Sequence, residues 1–249
     1  MTAIPVLLFH GVADEGGDAY AVTWQRLREH AALVLASGRT PVTVQEVSLR
    51  LAAGEPVDRL VAVSFDDGEA SQLPAAELLA DSGIPATVYV TVDFLGRPGF
   101  LDAAGLRALG AVQGVEVGSH SVRHVHLDVL PSEELRTQVR DSRAALEDGI
   151  GRDVRGIAYP HGSYDREVVA ASAEAGYVSG AAVRNALSHD GEHPLSVSRL
   201  TVTMGTPLPA VQAFLRGEGR LGETTPRLRT RGFRVYRKVR HRVSGTARG

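Results

Sequence analysis

The sequence predicts an α/β fold in which a parallel β-sheet is covered by helices. Short apolar runs alternate with segments of helical periodicity along the 249 residues, and runs such as ATVYV are apolar throughout. Strands of that kind are buried on both faces, as they are in parallel sheets. About seven or eight strand–helix units fit into this length, which favours a closed or nearly closed barrel over an open sheet.

The elements of the first half follow from periodicity and capping residues. Thr23 precedes a run with apolar residues on one helical face, which predicts a capped helix that closes near Gly38. Gly83 marks the end of a later helix in the same way. In chain order we predict a strand at 4–9, a helix at 23–38, an extended segment at 41–43, a helix at 43–51, a strand at 61–65, a helix at 74–82 and a strand at 86–90.

The second half continues the alternation. Ser132, with Glu133 and Glu134 behind it, predicts the N-cap and acidic first turn of a long helix. In chain order we predict a helix at 102–109, a strand at 115–118, a helix at 132–148, a strand end at 157–158, a helix at 166–174, a strand at 177–181, a strand at 195–203 and a helix at 208–215.

Polar side chains follow four of the predicted strands. Because the loops after the strands of a parallel barrel share one face, we expect these side chains to meet there. Gly68 permits the backbone break that lets two adjacent carboxylates enter one site. The residues are His10 after the first strand, Asp66 and Asp67 after VAVSF, His120 with His124 and His126 after the 115–118 strand, and Tyr159, Pro160 and His161 after the 157–158 strand end.

The segment HSVRH predicts a metal site. Residues four apart lie on one face of a helical turn, so His120 and His124 can close on one ion, whereas His126 would point elsewhere. Since the sequence contains no cysteine, the remaining ligands must be His, Asp or Glu. Two histidines and one carboxylate leave a position open for water, which is typical of hydrolytic rather than structural zinc.

Three segments together carry a family resemblance. SFDDG at 64–68, HSVRHVHL at 120–127 and AYPHGSYD at 158–165 resemble, in that order, the motifs of the polysaccharide deacetylase family. This family is also called carbohydrate esterase family 4 or the NodB homology domain. The resemblance implies a deformed (β/α) barrel that removes N-acetyl groups from amino sugars with a divalent metal. Zn²⁺ is the first candidate, and Co²⁺, Ni²⁺ and Fe²⁺ stay open.

The resemblance also implies roles for single residues. Asp67, His120 and His124 correspond to metal ligands, and Asp66 corresponds to the general base. A carboxylate beside a metal can take the proton of a water that the metal acidifies. Tyr159, Pro160 and His161 form the substrate and oxyanion segment. Proline has no N–H, so the oxyanion donor is predicted to be the N–H of His161.

The sequence departs from the commonest family pattern at two places. Ala158 stands where many members have an arginine, and SRLTV near the end lacks the usual histidine. The opening LLFHGV is typical of a subgroup whose N-terminal strand supplies the missing acid, so His10 is the predicted general acid. Arg199 is the predicted replacement for the arginine that tunes Asp66.

Two other functions stay open at this point. An amidohydrolase of the same fold could act on a non-sugar C–N bond, because sugar sites usually offer aromatic platforms and only 5% of the residues are aromatic. The other is an inactive barrel that keeps the motifs without turnover. The plausible sugar platforms are Tyr20, Trp24, Tyr159 and Tyr164.

The charge distribution divides the chain into a catalytic domain at 1–215 and a basic tail at 216–249. Of the 27 basic residues 11 lie in the tail, against two of the 29 acidic residues, so the first 215 residues carry a net charge of −11. Apolar residues recur at helical spacing between 228 and 243, which predicts a basic amphipathic helix on an anionic membrane. A disordered tail, or one folded back on the acidic barrel, stays open.

The start of the chain has no basic segment before its short apolar run, unlike a secretory signal. We therefore expect a cytoplasmic protein, held at the inner face of the membrane if the tail binds there. Its expected substrate is a small or lipid-linked N-acetylhexosamine. No nucleic acid partner is expected, because the sequence shows no known nucleic-acid-binding module. The oligomeric state stays open.

Overall fold

The computed structural model describes residues 1–14 and 18–222. Within these residues seven parallel strands close into a barrel, because the first strand pairs with both the second and the seventh. This confirms the predicted α/β barrel. The strands are β1 (Val6–Phe9), β2 (Leu60–Phe65), β3 (Ala86–Val90), β4 (Val115–Ser119), β5 (Gly156–Ala158), β6 (Ser179–Val183) and β7 (Val197–Thr201).

The barrel is irregular at two places. Strands β4 and β5 share a single paired position, Ser119 opposite Ile157. On the other side, Thr40–Val42 pairs with the first half of β2, while β1 pairs with its second half. Two further pairs of short strands lie outside the barrel: Ala3–Ile4 with Ser188–His189, and Val12–Ala13 with Val22–Thr23.

Seven helices lie in the described part of the chain. They are α1 (Trp24–Ala36), α2 (Val44–Ala53), α3 (Gln72–Asp81), α4 (Ala103–Ala111), α5 (Ser132–Ile150), α6 (Arg166–Glu174) and α7 (Leu208–Leu215). Thr23 caps α1 as predicted, since its Oγ1 accepts from Arg26 N at 3.1 Å. Ser132 is not the predicted cap, because Pro131 holds that position and the Ser132 hydroxyl instead donates to Glu167.

The two strands late in the chain differ from their predicted bounds. Strand β6 begins at Ser179 rather than at Tyr177, because Tyr177 closes the turn after α6 by a hydrogen bond from its N–H to Ser172 O. Leu195 belongs to the short 3₁₀ turn Pro194–Ser196, so β7 begins only at Val197. Apolar residues occupy both these turns and the strands, so composition does not separate them.

Helix α2 closes one end of the barrel. Val44 and Val47 pack in one cluster with residues from strands all around the ring, including Ala62, Ala158 and Val197. Side chains from opposite strands meet only inside a barrel. The N-terminal end is therefore filled, and the loops at the opposite end remain for the site.

The described residues after α7 stay attached to the barrel. Leu187 N donates to Arg220 O at 2.8 Å, and Gly222 N donates to Leu187 O at 2.7 Å. The division at residue 215 stays a prediction, and the tail beyond residue 222 lies outside the described residues. Among the helices of residues 1–14 and 18–222, none has the length and apolar character needed to cross a membrane.

Candidate metal and catalytic site

The turn after β2 separates two adjacent carboxylates. Asp67 has φ 85° and Gly68 has φ 87°, so the chain leaves the strand conformation directly after Asp66. At Gly68 a Cβ atom would lie 2.8 Å from Val90 Cγ1, so only glycine fits there. Asp66 is therefore buried at 2% exposure, while the Asp67 side chain is 20% exposed.

Arg199 on β7 holds Asp66, which follows β2, across the intervening strand β1. Its Nη1 and Nη2 donate to the two carboxylate oxygens at 2.6 and 2.8 Å, and Nη1 also donates to Ser64 Oγ at 3.2 Å. Arg199 is fully buried, and its guanidinium lies 5.3 Å from the ring centroid of Tyr89. Burial alone would raise the pKa of Asp66, but the charges of Arg199 and His120 outweigh it and lower the pKa to about 2. This is the contact that the predicted tuning of Asp66 requires.

Asp67, His120 and His124 form the group that could hold a metal ion in the described part of the chain. Asp67 Oδ1 lies 3.5 Å from His120 Nε2 and 3.3 Å from His124 Nε2. Two ligands at about 2.0–2.1 Å from an ion in tetrahedral geometry would be roughly 3.3–3.4 Å apart. The oxygen is buried and accepts no hydrogen bond in the described residues, and a cation would satisfy it. The residues therefore fit a divalent ion.

Outer contacts orient the first of these histidines. His120 Nδ1 lies 2.8 Å from Ala158 O, and a carbonyl can only accept, so Nδ1 carries the hydrogen and Nε2 keeps its lone pair for a metal. Burial lowers the pKa of His120 to about 3, despite the opposing charge of Asp66. His120 is thus neutral at physiological pH, which is the form that binds metals.

The predicted helical turn at HSVRH is wrong. Ser121 has φ 66° and His124 has φ 54°, and the segment from His120 to His126 contains no helix. Hydrogen bonds fix the loop instead: Ser121 N donates to Ser119 Oγ, and His124 N donates to Ser121 Oγ, both at 3.1 Å. The two imidazoles still converge, with ring centroids 4.9 Å apart.

His10 reaches the site from the end of β1. Phe9 pairs with Phe65, and Asp66 N donates to Phe9 O at 3.1 Å, so His10 and Asp66 leave neighbouring strands at the same level. A positive charge on His10 favours the ionised forms of both Asp66 and Asp67. Its Nδ1 is buried and has no hydrogen-bond partner among the described residues. The structure thus brings the predicted acid to the predicted base.

The third motif contributes backbone and one imidazole, but not the predicted tyrosine platform. Tyr159 is fully buried, and its hydroxyl donates to Leu195 O at 2.8 Å, so its ring cannot contact a sugar. Pro160 is buried as well. His161 is exposed with φ 57°, and its ring centroid lies 4.5 Å from that of His124 and 4.1 Å from that of His126.

Two further residues at the site did not follow from the sequence patterns. Gln72 is fully buried; its Nε2 donates to Asp66 O, and its Oε1 accepts from Gly68 N at 3.2 Å, which fastens the turn that carries both carboxylates. Burial and the charge of Asp67 raise the pKa of Glu69 to about 7. Gln72 stands four residues after Gly68, at the start of α3. This spacing was the sequence signal that could have indicated its contact with the turn.

Asp67 differs from Asp66 in its electrostatics. Burial and the charge of Asp66 raise the pKa of Asp67 to about 6. Because two carboxylates in one site repel each other, a positive charge beside Asp67 stabilises its ionised form. The site therefore combines two different carboxylates. The negative charge of Asp66 is balanced by Arg199, whereas Asp67 has no such partner among the residues described and favours a bound cation.

Comparison with known proteins identifies the family. A family model described as polysaccharide deacetylase matches residues 53–180. The chain belongs to the polysaccharide deacetylase family, which confirms the predicted family and supports deacetylation of a polysaccharide as the general activity. The match to its motif subgroup stays a prediction.

Individual relatives are more distant. The chain is similar to the protein YxkH of Bacillus subtilis, with 23% identity over 214 residues, which cover 85% of this chain and 76% of YxkH. Its fold is similar to that of the Streptococcus pyogenes deacetylase PplD, solved in complex with acetate, with a TM-score of 0.75, 19% identity and coverage of 84% of this chain and 96% of that chain. IcaB from Ammonifex degensii has a TM-score of 0.75 and 22% identity, with coverage of 87% and 98%. At these identities the solved structures show the fold alone.

Proposed function

We propose that this protein is a metal-dependent deacetylase that hydrolyses the N-acetyl group of an amino sugar and releases acetate. The observation that carries the proposal is the group of Asp67, His120 and His124, whose ligand atoms lie 3.3 and 3.5 Å apart beside the arginine-held Asp66. Zn²⁺ suits two imidazoles and a carboxylate, and Co²⁺, Ni²⁺ or Fe²⁺ would also be accepted.

Asp67, His120 and His124 would hold the ion. When bound, a divalent ion supplies acidification of a water and polarisation of the acetyl carbonyl. Asp66 accepts the proton of the attacking water, and Arg199 keeps its carboxylate ionised for that role throughout the physiological pH range. The arginine lowers the basicity of Asp66 at the same time, so the proton must come from a water that is already acidified.

His161 and His10 act after the water has attacked, on the tetrahedral intermediate and on its leaving nitrogen. The N–H of His161 is the proposed donor to the oxyanion, because Pro160 before it has none. His10 gives a proton to the nitrogen as the C–N bond breaks, so that the amino sugar leaves as a neutral amine. The acetyl carbon leaves with the water oxygen as acetate.

The experiment is metal analysis combined with acetate release from N-acetylated sugars, sugar nucleotides and glycolipids. We expect one divalent ion per chain in the wild type, none in Asp67→Ala and His120→Ala, and metal without turnover in Asp66→Asn. Leu35→Ala, on the exposed face of α1, is the control with normal metal content. Retention of metal and activity in both ligand variants would show that the site lies elsewhere.

A non-sugar amide is the second candidate function. It is favoured by the burial of Tyr159 and the packing of Trp24 against the core, which leave few exposed aromatic rings for a sugar. Linear N-acetylated amines, added to this panel, separate the two functions. Acetate release from linear amides alone would replace the amino sugar as the substrate.

We also propose that the protein is cytoplasmic and that its basic tail contacts anionic lipid, next to a lipid-linked substrate. The support for the lipid contact is the charge contrast between the tail and the first 215 residues. Co-sedimentation with anionic and with neutral liposomes at low salt tests the contact. The full chain should bind anionic liposomes, and a chain ending at residue 222 should not; equal sedimentation of the two would remove the tail from this role.

A further inference from the structure

Tyr20 is an exposed aromatic residue beside the proposed proton donor. It is 54% exposed, and its ring centroid lies 5.1 Å from that of His10, with the planes inclined at 44°. Its N–H donates to Asp18 Oδ1 at 2.5 Å, which fixes the backbone at this position. Met204, another exposed apolar residue, is joined to the same segment by a hydrogen bond from its N–H to Ala21 O at 3.2 Å.

The other aromatic side chains near the site are less exposed. Phe94, whose ring centroid lies 5.7 Å from that of His124, is half-buried and packs on Phe100. Tyr159 is fully buried, and Trp24 packs against the core. Tyr164 stacks on Tyr159 with ring centroids 5.1 Å apart, and the guanidinium of Arg184 lies 5.3 Å from its ring centroid. Among the described residues, Tyr20 is therefore the aromatic ring next to the site that is mainly exposed.

The chemistry of the proposed reaction decides where the sugar ring must lie. The acetyl carbonyl belongs beside Asp67, His120 and His124, and the amide nitrogen belongs within reach of His10. Because the nitrogen is bonded to a ring carbon of the sugar, the ring must lie on the His10 side of the nitrogen. Tyr20 is the exposed aromatic ring next to His10, with ring centroids 5.1 Å apart.

We propose that Tyr20 is the stacking platform for the amino sugar ring and presents its nitrogen to His10, a role that rests on the function proposed above. The apolar C–H face of a pyranose buries area against the aromatic ring, while the phenol oxygen stays in water. A linear amide has no such face. Tyr20 is accordingly a positioning residue that selects N-acetylated pyranoses over linear N-acetyl amines.

The test compares Tyr20→Ala, Tyr20→Phe and Leu35→Ala in the metal-loaded full chain. Leu35 is the matched control, because it is 51% exposed but lies at the far end of α1. N-acetylglucosamine oligomers are the sugar substrate, and an aryl acetate is the probe of the metal chemistry without a sugar. Saturation-transfer NMR with the same oligomers measures binding separately from turnover.

We expect Tyr20→Ala to raise KM for the oligomers about ten-fold, as the loss of one stacked ring implies. The hydrolysis of the aryl acetate, which offers no sugar ring to Tyr20, should not change. Tyr20→Phe, which keeps the ring, and Leu35→Ala should match the wild type. An unchanged KM in Tyr20→Ala, or an equal loss with both substrates, would overturn the platform.

Failure of the platform and failure of the proposed function are distinguishable. If the wild type releases acetate from the oligomers and Tyr20→Ala binds them equally well, the function stands and the platform falls. If no N-acetylated sugar is deacetylated but the oligomers bind in a Tyr20-dependent way, the platform stands and the proposed reaction falls.

Discussion

Replacing Arg199 by methionine tests the buried ion pair that holds Asp66. The pair has N–O distances of 2.6 and 2.8 Å, and the two side chains are 0% and 3% exposed. Methionine keeps much of the volume but leaves a buried carboxylate without its charge partner, a change that costs about 3–5 kcal/mol. We expect urea unfolding near neutral pH to show a loss of free energy of unfolding of that size.

The control is an ion pair at the surface. Arg50 Nε lies 2.7 Å from Glu46 Oε1 on α2, and the side chains are 34% and 41% exposed. Arg50→Met should cost about 0.3–0.5 kcal/mol, because water screens such pairs. Asp66→Asn combined with Arg199→Met should recover part of the loss, since no charge is then buried alone. A loss in Arg199→Met no larger than that in Arg50→Met would refute the reasoning.

The same substitution should shift the pH dependence of activity. In the folded protein the pKa of Asp66 is about 2, below its ordinary 3.8. Its contribution to stability is therefore present above pH 3.8 and is lost as the pH falls towards 2. When Arg199 is removed, its charge no longer opposes the effect of burial, and the pKa of Asp66 rises. The acid limb of the kcat/KM profile should therefore move to higher pH. Identical acid limbs in the metal-loaded wild type and variant would contradict this.

Three further predictions concern single side chains. Burial, with a smaller contribution from Arg26, lowers the pKa of His30 from 6.5 to about 4, so stability should fall as the pH drops from 6.5 towards 4. At pH 5 this amounts to about 2 kcal/mol, and urea titrations at pH 8 and pH 5 should show that His30→Leu escapes the loss. Gln72→Leu should lower kcat while the free energy of unfolding changes little, because it removes the hydrogen bonds that hold the turn carrying Asp66. Normal steady-state kinetics in this variant would exclude a role of Gln72 in positioning Asp66. Tyr159→Phe should cost about 1 kcal/mol in urea unfolding with unchanged KM, and a raised KM would return Tyr159 to the substrate surface.

Much of the fold follows from local signals. Helix α6 has the predicted bounds of 166–174 and helix α7 those of 208–215, and the Thr23 cap is where the sequence puts it. Such boundaries depend on residues close in the chain. The bounds of β6 and β7 differ because Tyr177 and Leu195 are apolar residues of turns, which apolar composition alone assigns to strands.

The site divides in the same way. Asp67, His120 and His124 meet because the loops after parallel strands share one face of the barrel. Their positions after strands predicted this meeting, and the family resemblance assigned Asp67 rather than Asp66 to the metal. The predicted helical turn at HSVRH was wrong. Ser121 and His124 have positive φ angles in a loop that is held by a hydrogen bond from Ser121 N to Ser119 Oγ and by backbone hydrogen bonds from Val92 and Asp93. Tyr159 lies in the predicted motif, but its ring is buried because its hydroxyl donates to Leu195 O in the turn before β7. Leu195 is distant in sequence, so the motif alone did not predict this burial.

The sequence by itself determined the barrel, the family and the residues that surround the metal position, because each rests on the order of motifs and on strand ends that share one face. Arg199 and Tyr20 were candidates from the sequence, but only the tertiary structure decided that Arg199 forms an ion pair with Asp66, that Tyr159 is buried and that Tyr20 is the exposed ring beside His10. These contacts join parts of the chain far apart in sequence or depend on burial. The closure of the barrel brings Arg199 next to Asp66, because β7 and β2 both pair with β1. No local sequence pattern predicts such a contact.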